Sequence, residues 1–230
     1  ALPIYLEADE AETANLLRKQ PERATAMAAQ ISEWADDIEF SFDNKAALTA
    51  PVSTIAILAS NQLLRFVNHG VKGDTKSLDL DGKSWLDLPA FRTPLVAGGR
   101  SLQIKGTIRP TSPAGVVFAH GGNRAGYSVY LEEYHLCFAA CVNNKRTVVR
   151  SSSAITGSAS FEANWNSKGE LFLKMNGKLV GKSTAGIIHH EPGDSIQIGA
   201  DLIQPVGNYK TPNHFSGTIE NLTFKYPTGN

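Results

Sequence analysis

The chain has 230 residues, 42% hydrophobic and 19% charged, with 22 lysines plus arginines against 22 aspartates plus glutamates. That length can bury one sizeable core without disulfides, and zero net charge with no block of like charge argues against nucleic acid or an anionic membrane as partner. No apolar run approaches the roughly 18 residues of a spanning helix, and Ala1-Leu2-Pro3 carries neither an initiator Met nor a charged-then-apolar leader, so the chain is expected to be soluble and cut from something longer.

In chain order, Leu2 to Leu6 reads as a short extended piece leading into a turn of helix at Ala14-Asn15-Leu16-Leu17, with acids at its positive end. Pro21 suits a first helical position, and Ala24, Met27, Ala28, Ile31 and Trp34 recur at helical spacing, predicting a helix from Pro21 to Ala35. After Asp36-Asp37 the period turns from helical to alternating, which sets a boundary between residues 1–37 and 38–230. Ile38 to Phe42, Thr54 to Leu58 and Gln62 to Val67 read as strands. Asp81-Gly82-Lys83, between Lys76 to Leu80 and Ser84 to Leu88, carries a hairpin signal, and Arg100 to Arg109 alternates with Leu102, Ile104 and Ile108 facing in.

The central stretch predicts a meander of strands, Ala114 to His120, Gly126 to Glu132, Tyr134 to Cys141 and Lys145 to Arg150, with Val116, Phe118 and His120 on one face. Cys137 and Cys141 share one strand face about 13 Å apart, beyond the roughly 7 Å reach of a disulfide, so both are expected buried and reduced. Phe161 to Trp165 and Leu171 to Met175 follow, then Asn176-Gly177 turns the chain into Lys178-Leu179-Val180. Ser195 to Gly199 is a short strand and Ala200 to Pro212 a long loop. Phe215 to Tyr226 is a strand whose inward set slips phase, as a bulge near Glu220-Asn221 would cause. Many short strands after one early helix make the fold mainly β, an antiparallel two-sheet jelly-roll sandwich.

Two resemblances sharpen this reading. Tyr5-Leu6-Glu7-Ala8-Asp9-Glu10-Ala11-Glu12-Thr13-Ala14-Asn15-Leu16-Leu17, then Gln20-Pro21-Glu22-Arg23 and a helix ending at Trp34, resembles the last stretch of bacterial sulfatases over about the first 36 residues. It implies a place behind a catalytic sulfatase domain in a secreted or periplasmic protein, not an activity, because the Cys/Ser-x-Pro-Ser-Arg motif of the sulfatase nucleophile is absent from this sequence. Leu78-Asp79-Leu80-Asp81-Gly82-Lys83, Gly115 to Gly122 with Gly126 to Leu131, and Ile198-Gly199-Ala200-Asp201 through Tyr209 to Glu220 are similar to laminin-G-like, concanavalin-A-type jelly rolls over Ile38 to Tyr226. That fold hosts lectins, adhesion modules, glycosidases and spacers alike.

The expected function is therefore a non-catalytic carbohydrate-binding or accessory domain, with a polysaccharide or glycan, sulfated or not, as partner. The alternatives are a structural or protein-interaction module controlling sulfatase assembly, and a glycoside hydrolase of the jelly-roll class. Glu7, Asp9 and Glu12 match the Glu-x-Asp-x-x-Glu spacing of laminarinase-type glycosidases, but Ala8, Glu10 and Ala11 interleave where that family has a half-buried strand, so they read as a solvated acidic turn. Sugar sites pair an aromatic face with amide and carboxylate hydrogen bonds. His120, Asn123, Arg124 and Tyr127 around one loop, and Asp201, Asn208, Tyr209, Asn213 and His214 around another, supply both if the loops at Gly121 and Pro205 converge. Laminin-G-like domains often hold calcium, which the resemblance would place on Asp201 and Asn208. His189-His190-Glu191 reads as a turn before Pro192-Gly193, since adjacent side chains on an extended segment point apart.

Overall fold

A computed structural model describes residues 54–59, 62–89, 93 and 99–225. These residues fall in one compact unit, Ser53–Asn230. The expected sulfatase-like opening, its helix, the strand at Ile38 and the boundary at Asp37 lie outside the described residues.

Seventeen strands are described, nearly all paired antiparallel. The first sheet runs in the order β10 (Lys145–Ala154), β9 (His135–Val142), β8 (Ala125–Glu132), β7 (Gly115–Gly121), β14 (Ile196–Ile198), β5 (Trp85–Leu88), β2 (Gln62–His69) and β1 (Thr54–Ala59). The second contains β17 (Ser216–Lys225), β6 (Leu102–Pro110), β11 (Ala159–Trp165), β12 (Glu170–Met175) and β13 (Lys178–Thr184), with β4 (Ser77–Asp81) and the short β3 (Lys72–Gly73) beyond β17. A single parallel pairing, Ala59 with Phe224, joins them, so the hydrogen-bonded path folds over on itself. At the opposite side Gly181 of β13 lies against Val149 of β10, where a Cβ would come within 2.5 Å of the valine side chain. The two inner faces share one core, in which Phe66, Leu86, Ile104, Phe118, Phe138, Leu173 and Ile219 are fully buried.

Alternation drives each layer. In β6, Leu102, Ile104 and Ile108 are buried while Gln103, Lys105 and Thr107 are half-exposed, as period-2 patterning requires. Asn176 and Gly177, at φ 51° and 75°, close the β12–β13 hairpin, the geometry that an Asn-Gly pair adopts with least strain. Asn143-Asn144 (φ 51° and 64°) closes β9–β10 in the same way. A bulge interrupts β17 between Glu220 and Thr223, with Asn221 at φ 51°, at the expected phase slip.

Three expectations need correction. Asp81-Gly82-Lys83 is no hairpin, because β4 pairs with β17 and β5 with β14 and β2. The turn carries the chain from one sheet to the other. Asp81 Oδ1 accepts from the amides of Lys83 and Ser84, and Ser84 Oγ accepts from the Asp81 amide, so side chains satisfy a corner that a ladder does not. Val116 does not share a face with Phe118, since a bulge between them turns Val116 outward, among Tyr130, Cys137 and Cys141. Tyr134 is a turn residue rather than the start of β9. Its φ of 63° is held by its amide donating to Pro113 O and its carbonyl accepting from the Ile155 amide.

Beyond β15 (Ala200–Asp201), residues 202–212 run as a strap over the outer face of the first sheet and return at β16 (Asn213–His214), which pairs with β15. Val206 is fully buried there in a second, smaller cluster with Val116, Ala119, Tyr130, Cys137, Ala139 and Cys141. Arg146 fastens the strap, its Nε donating to Val206 O at 2.7 Å and its Nη2 to Pro205 O at 3.0 Å. Both cysteines are free and buried.

Candidate functional site

The loops at Gly121 and Pro205 do meet at one end of the sandwich, and a third joins them. Gly121 pairs with Gly126 at the end of the β7–β8 ladder, and the Gly122 amide donates to Ala125 O at 3.1 Å, folding a tight loop that projects Asn123 and Arg124. A Cβ built on Gly122 would lie 2.6 Å from Gln204 Cβ on the strap and 3.2 Å from Asp194 Oδ2 on the segment before β14. Only a glycine lets the three segments approach so closely. Between them opens a hollow of about 290 Å³ onto which Arg124, His190, Glu191, Asp194 and Gln204 converge. Arg124, His190, Glu191 and Gln204 are exposed and Asp194 is half-buried. Partial burial pushes the Asp194 carboxyl above its usual range. The hollow thus offers a guanidinium, an imidazole, two carboxyl groups and an amide, without an aromatic floor.

The residues expected from sequence divide unevenly around it. Of the nine, Arg124 alone lines the hollow. Asn123 is exposed beside it, and its carbonyl accepts from the Cys141 thiol at 2.6 Å. His120 and Tyr127 cannot offer a binding face, because both are fully buried on the inner face of the first sheet. Tyr127 OH lies 2.8 Å from His120 Nδ1, and its ring packs between Phe118 at 6.0 Å and Trp165 at 6.2 Å. Burial depresses His120 to about 3, so the ring is neutral. An alternating strand has two faces, and the sequence pattern left open which of them carried these polar tips.

Asp201 and Tyr209 also turn inward. Asp201 is 3% exposed and accepts from the Tyr209 hydroxyl at 2.7 Å, while the Tyr209 ring stands edge-on against Tyr130 at 4.8 Å. Burial raises Asp201 to about 6 despite that hydrogen bond. The pair latches the strap to the sheet. Asn208 is exposed but its Oδ1 faces Arg146 Nη1 at 3.5 Å. A calcium ion shared by Asp201 and Asn208 would have to displace the tyrosine hydroxyl and settle beside a guanidinium. Among the described residues no group of three or more His, Cys, Asp or Glu converges as metal ligands do.

Asn213 and His214 sit on β16, away from the hollow's lining. His214 stands edge-on to Trp85 at 5.8 Å, and Trp85 in turn stacks on exposed His69 at 4.4 Å and 12°. Sequence reasoning missed this row of rings because it forms across strands, His69 opposite Trp85, that are distant in the chain. It also missed His190, Asp194 and Gln204. His190 and Glu191 do occupy the expected turn before Pro192, and that turn is a wall of the hollow. A pattern such as Glu191-Pro192-Gly193-Asp194 announces a turn without saying what the turn faces.

No protein-family model matches the chain, and no curated protein does either. Solved structures do match in shape. Domains LG4-5 of the mouse laminin α1 chain align with a TM-score of 0.51 at 16% identity, over 70% of this chain and 43% of that one. The CBM40 of the Ruminococcus gnavus IT-sialidase, bound to α2,3-sialyllactose, aligns at 0.50 and 13%, over 65% of this chain and 89% of the other. A chain of botulinum neurotoxin type C, which depends on interaction with two ganglioside molecules to get into cells, aligns at 0.51 and 15%, over 76% and 47%. This chain thus spans under half of the laminin and neurotoxin chains. At these identities the likeness is one of fold, and the described unit is a jelly-roll sandwich with the laminin-G-like, concanavalin-A-like fold.

Proposed function

We propose that this chain carries a glycan-binding module, with the hollow between the Gly122 loop, the 190–194 segment and the strap as its site. The observation that carries the reading is the convergence of Arg124, Asp194, Gln204 and His190 from three separate loops on a space of about 290 Å³, roughly the size of one or two sugar rings. Such a set can both donate to and accept from vicinal hydroxyls, and Arg124 adds a planar donor pair for a ring carboxylate. The CBM40, aligned over 89% of its own chain, supports the reading, since it is a domain of this shape bound to a glycan.

The opening's resemblance to a sulfatase tail supports placing the module behind a sulfatase catalytic domain in a secreted or periplasmic protein. In that setting it would hold a polysaccharide, sulfated or not, near the catalytic domain and hydrolyse nothing itself.

The test is calorimetric titration and glycan-array screening of the whole chain. Binding that Arg124→Ala and Gln204→Ala each weaken several-fold, with unchanged melting temperature, is the expected result. A folded protein that binds no glycan would sink the reading, and retained binding in both variants would move the site elsewhere.

A further inference from the structure

The outer face of the second sheet groups lysines in register. Register sets two adjacent rows of side chains across its strands. One runs Thr223, Lys105, Glu162, Lys174 and Leu179, the other Lys225, Gln103, Asn164, Phe172 and Lys182. Within these rows, Glu162 is the sole carboxylate among four lysines, although the chain as a whole is neutral. Lys105 Nζ lies 3.5 Å from Glu162 Oε2 and Lys174 Nζ lies 3.2 Å from Oε1. Asn164 Nδ2 and Gln103 Nε2 also donate to that Oε1, at 2.9 and 3.3 Å. One fixed carboxylate therefore holds two ammonium groups close together and can neutralise only one of them. Beside the pair, short hydroxyl side chains on neighbouring strands, Thr107, Ser160 and Thr223, leave a hollow of about 350 Å³ that the Asn221 bulge and the Gly177 turn border. Phe172, half-exposed, adds an aromatic patch in the next row.

We propose that this face is a second ligand site, distinct from the loop hollow, that takes an acidic unit of a polysaccharide with its anionic group between Lys105 and Lys174. Charge complementarity selects the ligand class: two ammonium groups against one carboxylate leave a local excess of positive charge, and the hydroxyl-lined floor matches a polyhydroxylated ring. The surplus lysines of the adjacent row, Lys182 and Lys225, extend the positive field along the sheet, as a repeating acidic polymer requires. A uronate carboxylate and a sulfate ester share this chemistry.

The experiment titrates the whole chain with a uronate oligosaccharide, a heparin-type sulfated oligosaccharide and a neutral glucan, at low and at physiological salt. One or both acidic probes should bind and the glucan should not bind at this face, and affinity should fall several-fold between the two salt concentrations. The acidic probe that binds more tightly identifies the anionic group. Lys105→Gln with Lys174→Gln should weaken that binding about tenfold or more by removing two charged contacts, with unchanged melting temperature. Lys178→Gln, which removes an equal exposed charge outside the two rows, should not. In an Arg124→Ala background, which weakens the loop hollow, the same lysine double variant should still lower the remaining acidic binding about tenfold, which separates this site from the loop hollow. The proposal is overturned if neither acidic probe binds, if the double variant binds as tightly as the original, or if Lys178→Gln weakens binding as much as the loss of one site lysine.

Discussion

His120 and Tyr127 show how a polar pair settles in a core. With Nδ1 against the tyrosine hydroxyl and Nε2 without a partner among the described residues, His120 is already short of one hydrogen bond. Tyr127→Phe removes the other and is expected to cost about 1–3 kcal/mol, whereas Tyr127→Ala, which also empties a ring-sized space, should cost roughly 3–5 kcal/mol. Chemical denaturation of the two variants checks both figures. Asp201 gives a pH signature. Its folded value of about 6 lies above the ordinary 3.8, so the folded state holds an extra proton between those values and stability falls as pH rises through them. His120 works in the opposite sense: its folded value of about 3 lies below 6.5, so its contribution is lost as pH falls from 6.5. Over roughly pH 4 to 6 the two slopes oppose one another. Asp201→Asn keeps an acceptor for Tyr209 and should remove only the first, becoming more stable relative to the parent by on the order of 2–3 kcal/mol between pH 4 and 7. Coincident denaturation curves for parent and variant across that range would refute the assignment. At this scale the sequence was a poor guide to the site. It marked His120, Tyr127, Asp201 and Tyr209 as polar tips near loops, but polarity does not distinguish a tip that faces solvent from one that finds its partner inside.

Hairpins were the most legible elements. Asn176-Gly177 and the four strands of the central meander follow from local residues, because neighbouring strands paired through short turns need only pattern and turn chemistry. Gly177 has open space where a Cβ would go but φ of 75°, so Gly177→Ala should cost about 1 kcal/mol, from backbone strain alone. Gly199 has similar φ, 83°, yet its Cβ would fall 1.9 Å from Leu80 Cδ2. Gly199→Ala must therefore pay strain plus a core clash, and is expected to lower the melting temperature markedly more than Gly177→Ala. Equal thermal shifts would contradict this placement of β14 over β4. The turn at Asp81 was misread because pairing of β4 with β17, some 140 positions later in the chain, is invisible in a local window. The bulge at Glu220-Asn221 was legible because a slip in the inward set leaves its trace in the strand's own residues.

For the molecule as a whole, the jelly-roll class could be read from strand number and turn spacing, while the strap could not, since loop composition does not say which face a loop covers. All described strands belong to the unit beginning at Ser53. A fragment from Ser53 to Asn230 is accordingly expected to unfold cooperatively, with near-ultraviolet circular dichroism matching the same region of the full chain, and a fragment without a cooperative transition would show that residues 1–52 are required for folding. The strap has one more consequence. It lies over Cys137 and Cys141, whose thiols burial holds above their ordinary values, Cys137 at about 11. Both thiols are buried and Val206 of the strap packs in their cluster, so lifting of the strap is expected to expose them and the rate of thiol modification to report those openings. Gln204 belongs both to the strap and to the loop hollow. On the proposed function, a sugar held in the hollow against Gln204 should damp those openings and slow the alkylation of two cysteines it never touches, in proportion to its saturation.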